Sequence, residues 1–366
     1  MLNRVNDISP YMGCDPEFFF RKDGEIVGAE TMLAPSGLDV GNGSRFIIDG
    51  VQAELNPAPS FCRANLANNI RVCFSTLIKE MAKHKGFTAD FSTTVEISKE
   101  NLAQLNEAAK RFGCAPSQSI YKKVGVNIAG IDPIKYRKRA AGGHIHIGMD
   151  EYKSFGLKRA LKEDYAKVVQ MLDIICGNTC VLIDRDEGNI ERRKLYGRAG
   201  EYRLPEHGIE YRTLSNFWLT SYPLLSMAFG LARLAVQLIA DKNYVVLYNE
   251  FISASNLANV HKAINNNDFD LAMENFKNVE KLIMEVSNTG DRYTVTSANI
   301  KEFHHFVYKI KSDGLKYWFK DEPLKHWTSI RECHAGGFHD YLLNVVQPDM
   351  LKDNKSLQTK AATKVA

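Results

Sequence analysis

Residues 142–148 read Gly-Gly-His-Ile-His-Ile-Gly, and their alternation sets the reading of the whole chain. Side chains alternate across a strand, so His144 and His146 share one face while Ile145 and Ile147 share the other. Three further segments are built the same way. Residues 13–20 (GCDPEFFF) carry Asp15 and Glu17, residues 49–57 (DGVQAELNP) carry Gln52 and Glu54, and residues 207–218 (HGIEYRTLSNFW) carry Glu210 and Arg212. Each sets a polar pair at i, i+2 into an otherwise apolar, strand-like stretch. Four such pairs predict a sheet whose concave face is a polar site.

The remaining composition narrows the function classes. A chain of 366 residues, 45% apolar and 25% charged, suffices for one large globular domain or two. A net charge of +4 fits a small anionic ligand and gives no direct support for nucleic acid. The seven cysteines (14, 62, 73, 114, 176, 180 and 333) form no paired C-x-x-C units. That spread argues against a zinc ribbon or a disulfide framework and for a reducing compartment. MLNRVNDISPYMG lacks the apolar run of a signal peptide, and the apolar stretch 222–239 contains Arg233 and reads as a buried helix. The expectation is a cytoplasmic protein with no membrane partner.

Residues 13–57 read as strands separated by turns at Lys22-Asp23-Gly24 and Gly41-Asn42-Gly43. Residues 64–84 have helical spacing, with Leu66, Ile70, Phe74, Leu77 and Met81 on one stripe. A strand over 91–97, a helix from Ser98 to about 112 and a helix over 157–176 follow. Beyond Thr220, long amphipathic patterns continue to about 320, and 347–366 is polar enough to predict an unstructured tail. Strands do not alternate strictly with helices, so the predicted class is α+β, with a largely antiparallel sheet backed by helices. The predicted organisation is a catalytic core over 1–240, a helical portion over 241–346 and the tail.

Asp15, Glu17, Glu54 and Glu210 sit in segments too apolar for a solvated charged face. Burying several carboxylates together is costly unless a cation compensates, and a divalent metal is the economical solution. An oxygen-rich set with at most one imidazole suits Mg2+ or Mn2+ better than zinc. The competing reading pairs each acid separately with an arginine in a structural network. Two glycines before His144 allow close approach of another chain segment or a phosphate. Residues 197–212 (GRAGEYRLPEHGIEYR) hold Arg198, Arg203 and Arg212 among apolar neighbours, an arrangement suited to bidentate anion recognition. Arg192 and Arg193 read equally as part of that cradle or as exposed helix-end charges. Residues 135–139 (KYRKR) read as a solvated loop, with the substrate side as the alternative. Acids for metal and guanidiniums for phosphate are the equipment of phosphoryl transfer from a nucleotide. Neither a G-x-x-x-x-G-K-[ST] loop nor the protein-kinase signatures are present.

The order acid-x-acid, Q-x-E-L-N-P, G-G-H-I-H-I-G and R-x4-R-x6-E-Y-R, over residues 10–240, resembles the carboxylate–amine ligases of the glutamine synthetase and glutamate–cysteine ligase superfamily. It is most similar to their phage-type amidoligase branch. The resemblance implies a curved antiparallel half-barrel with helices on the convex side, and ATP with two or three Mg2+ ions on the concave side. It assigns Asp15, Glu17, Glu54, His144 and Glu210 to metal. His146 becomes the partner of His144 toward the bound nucleotide. Arg198 and Arg203 become contacts to phosphate and the reacting carboxylate, with Arg212 beside them. Asp15 stands where that superfamily usually has glutamate. Gln52 stands where a second acid is expected, which makes Asp49 a candidate substitute.

The implied reaction joins a small-molecule or peptide carboxylate to an amine through an acyl phosphate, in the host cytoplasm if the protein is phage-encoded. A guanidino-type phosphotransferase on the same fold, and a zinc hydrolase using His144 and His146, are the other enzymatic readings. A scaffold that has kept the fold without the chemistry is the non-enzymatic one.

Overall fold

The computed structural model describes residues 10–112, 117–121, 131–132, 134–148, 164–184, 186–240, 244–288 and 318–329. Its strands are β1 (Met12–Cys14), β2 (Glu17–Lys22), β3 (Glu25–Val27), β4 (Leu38–Gly41), β5 (Ser44–Asp49), β6 (Gln52–Asn56) and β7 (Phe87–Asp90). They continue with β8 (Thr94–Glu96), β9 (Gln118–Ser119), β10 (Lys138–Ala140), β11 (Ile145–Gly148), β12 (Glu201–Arg203) and β13 (Gly208–Tyr211). One sheet has the order β1-β11-β13-β12-β9. A second has the order β3-β2-β6-β5-β4, with β7 also on β2, and β8 pairs with β10 in a small ladder. Every pairing is antiparallel. The fold is α+β, as the sequence predicts.

The two sheets are joined at Asp15-Pro16, between β1 and β2. There the Glu17 N–H donates to Gly142 O at 2.9 Å, and the Leu55 N–H donates to Pro16 O at 2.9 Å. Proline has a fixed φ and no donor, so it ends the β1 ladder and turns the chain into the next sheet. The predicted strand 13–20 is therefore two strands, with Asp15 in neither.

The alternation of each segment fixes which face is core. Ile145 pairs with Tyr211, Tyr211 with Tyr202, and Cys14 with Ile145. All of these are buried, as are Ile147 and Ile209 on the same side. Each such aliphatic group contributes roughly 1.5–3 kcal/mol by leaving water. The same apolar core takes in the helix Arg63–Met81, which packs on β4 and β5 and buries Leu66, Ile70, Phe74 and Leu77 as the stripe predicts. The helix Tyr222–Ala240 is there too. Its apolar window is 89% buried, which makes it a core helix.

The predicted helix over 98–112 is broken into Lys99–Gln104 and Glu107–Lys110. Two caps explain the break: Ser98 Oγ accepts from Asn101 N, and Asn106 Oδ1 accepts from Ala109 N. The predicted helix over 157–176 is described from Tyr165, and passes through a π turn at Asp173–Gly177 into Asn178–Val181. The helices Tyr244–Ser255, Leu257–Asn266 and Phe269–Asn288 bring Phe251, Val260 and Phe276 into the same apolar core as Phe18 and Ile145. Residues 347–366, and most of 289–346, lie outside the described residues.

Candidate functional site

Three polar residues form one row across the first sheet. His146 lies directly opposite Glu210, and Glu210 directly opposite Arg203. Facing residues in an antiparallel ladder share a side, so imidazole, carboxylate and guanidinium stand next to one another. Asp15 reaches this row from the bend. Its Oδ2 is 3.2 Å from His146 Nε2, and its Oδ1 is 3.1 Å from His144 Nδ1. His144 Nδ1 also lies 3.4 Å from Glu210 Oε1, and Arg203 Nη1 lies 3.7 Å from the same oxygen. Arg212 closes the group with an ion pair to Glu210 Oε1.

A second acidic group lies on the other sheet. Glu17 is opposite Glu54, and Asp49 shares their side of the sheet through the β5–β6 register. Ligand atoms of Glu17, Asp49 and Glu54 all fall within 4.8 Å of one another, and so do those of Asp15, His146 and Glu210. The pair Asp15/Glu17 is thus divided, one acid to each group, and Tyr196 stands between the groups. Its hydroxyl donates to Glu17 Oε2 at 2.7 Å, its ring lies 5.8 Å edge-on from His144, and the Arg212 guanidinium is 5.5 Å from its centre.

The two groups differ in charge balance. In the first, burial would raise the Asp15 carboxyl, but His146 and His144 outweigh it and hold Asp15 well below the usual carboxylate range. His146 is correspondingly raised, because Asp15 overcomes its burial. His144 is lowered by burial and by Arg212. In the second group, burial and neighbouring Asp49 push Glu17 up to about 7. Burial, followed by the charges of Asp15, Asp49 and Glu17, raises Glu54 well above its ordinary value. Three carboxylates pressing one another's protons upward are a set that a divalent cation would relax, and an all-oxygen set suits a hard ion. The first group already contains arginines. Even so, Asp15 Oδ1, both His144 nitrogens and His146 Nε2 are buried without a hydrogen bond of acceptable geometry, which leaves donor atoms for a second ion.

Several predicted residues have other roles. Gln52 Nε2 donates to Ala140 O at 2.8 Å and braces β10, so Asp49 takes the place expected of it. Arg198 does not join the row: its Nε donates to Arg193 O at 2.7 Å and its Nη2 to Lys194 O at 3.3 Å, at the end of the helix Gly188–Leu195. Arg192 is neither cradle nor exposed. It is fully buried and donates to the carbonyls of Arg212, Thr213 and Leu214, clamping the strand end that carries Arg212. Arg193 is buried too, which lowers it to about 10 together with the nearby Arg192 charge. In the 135–139 run Arg139 is buried, donating to Lys110 O and lying 5.1 Å from the Phe112 ring, so that part is no solvated loop. The Gly142-Gly143 pair admits protein. A Cβ on Gly142 would fall 2.4 Å from His144 Nε2, and one on Gly143 2.3 Å from Ser215 O.

The sequence reading missed two residues, Tyr196 and His207. His207 stacks on His146 with ring centres 5.0 Å apart and its Nε2 3.1 Å from His146 Nδ1. Its position in a Pro-Glu-His-Gly turn gives no periodic signal, and only its place directly before β13 could have pointed to it. A cleft of about 760 Å3 opens beside this pair and runs between the two sheets.

The family model for phage phiEco32-like COOH.NH2 ligase-type 2 matches residues 99–313. The chain belongs to this family. The family is described as one of carboxylate–amine ligases, enzymes that form carbon–nitrogen bonds. The matched span contains His144, His146, Arg203, Glu210 and Arg212 of the ligase, while Asp15, Glu17, Asp49 and Glu54 precede it. Among solved structures, a bifunctional glutathione synthetase from Pasteurella multocida is similar, with a TM-score of 0.47 and 12% identity over 89% of this chain and 53% of that one. The ligase chain thus spans about half the length of that protein. No curated protein matches it.

Proposed function

We propose that this ligase activates a carboxylate with ATP as an acyl phosphate and transfers the acyl group to an amine, using Mg2+ or Mn2+. The observation that carries the reading is the acidic trio Glu17, Asp49 and Glu54, set next to the group around Glu210 that contains Arg203 and Arg212. The trio would hold one divalent cation, and Asp15, His146 and Glu210, with His144 behind them, a second. ATP would supply the phosphoryl group, and the metal ions would neutralise the negative charge gathered around it.

The protein's own contribution is placement. Arg203 is partly exposed beside Glu210 and would be the guanidinium that meets a phosphate or the reacting carboxylate. Arg212 is pinned by Glu210 and by its place over Tyr196, so it presents a fixed positive charge from behind. Arg198 shapes the 197–200 loop from the helix end. The substrate oxygen attacks the terminal phosphorus and ADP leaves. The amine nitrogen then attacks the acyl carbon, loses a proton, and inorganic phosphate departs. The residues around the site must exclude water during the second step, since it would hydrolyse the acyl phosphate.

A trapping assay tests this. Protein, MgATP, pools of carboxylic acids and hydroxylamine should give hydroxamate and ADP in equal amounts, with hydroxylamine standing in for the amine. Release of ADP with a stable phosphorylated guanidino product and no hydroxamate would replace the ligase by a phosphotransferase. Tightly bound stoichiometric zinc in the purified protein would count for a hydrolase.

A further inference from the structure

Tyr196 touches both charged groups, and the proposed chemistry gives it no task. It follows the helix Gly188–Leu195 in extended backbone, with its N–H donated to Arg192 O at 2.9 Å. Its ring centre lies 4.7 Å from the Arg192 guanidinium and 5.5 Å from that of Arg212. The hydroxyl has a single proton and two oxygens within reach, Glu17 Oε2 at 2.7 Å and Ala140 O at 3.1 Å. Ala140 O already accepts from Gln52 Nε2 at 2.8 Å, so the shorter contact to the carboxylate takes the proton.

A second donor meets the same oxygen. The Gly142 N–H donates to Glu17 Oε2 at 2.5 Å, while the Glu17 N–H donates to Gly142 O at 2.9 Å. A carboxylate oxygen has about two lone-pair directions. On Oε2 both are directed at protein donors. Glu54, opposite Glu17, is treated in a similar way: its Oε1 accepts from Asn56 Nδ2 at 2.8 Å. Two of the trio's three acids thus each have one oxygen committed to the protein.

Resting on the cation assignment proposed above, we infer that Tyr196 is a positioning residue that limits Glu17 to one ligand oxygen and so makes the trio prefer small cations. Mg2+ takes about six ligands in near-ideal octahedral order, which carboxylates offering one oxygen each, completed by water, can satisfy. Ca2+ takes roughly six to eight oxygens at longer range and often draws both oxygens of a carboxylate. Turning Glu17 to offer both would break its bonds from Tyr196 and Gly142 inside a fully buried site. That cost falls on Ca2+ and spares Mg2+.

Titration calorimetry reads this without turnover. Mg2+, Mn2+ and Ca2+ are titrated near pH 8 into metal-stripped intact protein, Tyr196→Phe, Asn56→Ala and Asp49→Asn. The trio's site is identified as the one that Asp49→Asn removes. Tyr196→Phe keeps the ring and deletes only the donated hydrogen bond. The intact protein should bind Mg2+ and Mn2+ more tightly than Ca2+ at this site. In Tyr196→Phe the affinity ratio should move toward Ca2+ by roughly fivefold or more, the scale of one hydrogen bond. Tighter proton binding by Glu17 in the variant would weaken every cation alike and cancels in the ratio. An unchanged ratio with cations still bound would overturn the inference and leave the cation assignment standing, as would a preference for Ca2+ in the intact protein. If the intact protein binds no cation, or Asp49→Asn loses no site, the assignment falls and the inference with it. Asn56→Ala should move the ratio in the same direction through Glu54, and decides the matter should Tyr196→Phe not fold.

Discussion

Metal-free protein should lose stability as pH rises from about 4.5 to about 7, with Glu17 as a main cause. Glu17 is completely buried, and burial with the nearby Asp49 carries its carboxyl from 4.5 to about 7. Across that window the folded chain keeps a proton that the unfolded chain has released, so unfolding becomes easier as pH rises. The stabilisation is complete below the unfolded value and is lost as pH passes through about 7. At ~1.36 kcal/mol per pH unit, the displacement amounts to about 3 kcal/mol. With an unfolding entropy of roughly 2 cal/mol/K per residue, that is about 4 °C in Tm for a chain of this length. The measurement is calorimetry of EDTA-treated protein and Glu17→Gln between pH 4.5 and 8. Asp173 is displaced in the same direction in both proteins, so the difference between the two curves reports Glu17 together with its effect on neighbouring Glu54. The variant should be the more stable by about 4 °C near pH 8. Millimolar Mg2+ should erase that gap by stabilising the intact protein. A difference independent of pH, or no rise in Tm with Mg2+, would refute both the burial argument and the cation assignment.

Arg203→Ala should lower turnover by roughly 10²–10³-fold while the protein still folds, since Glu210 keeps its ion pair with Arg212; hydroxamate formation and a melting curve report both. Glu210→Ala should lose activity and also stability, by about 3–5 kcal/mol in denaturant titration, because it strands the buried Arg212; Glu210→Gln separates the two effects. Arg192→Ala should cost about 3 kcal/mol or more through the three backbone carbonyls it leaves unsatisfied, and Arg192→Lys should recover only part of that in the same titration. Gly142→Ala should displace the His144 ring and weaken Mg2+ binding in calorimetry while the protein remains folded.

The α+β class and the identity of the paired segments were legible because period-2 alternation is a local property of the chain. His144 and His146 do meet the same carboxylate, Asp15, and Glu210 does stand between His146 and Arg203. What spacing could not convey was the break at Pro16, since alternation continues through a bend and says nothing of which sheet receives each half. Tyr196 and His207 were hidden for a related reason: each follows or precedes a regular element, where no period marks its direction. The arginines show a different limit. Arg192, Arg198, Arg203 and Arg212 look alike in sequence, yet two of them spend their donors on backbone carbonyls, and only the tertiary fold decides which.

The short link Asp15-Pro16-Glu17 places one acid in each of the two charged groups. The backbone separation of Asp15 and Glu17 is therefore set by covalent bonds and a locked ring torsion, whatever the packing of the sheets. A small rotation of one sheet against the other about this link would move His146 and Glu210 relative to Asp49 and Glu54, while Asp15 and Glu17 stay one proline apart.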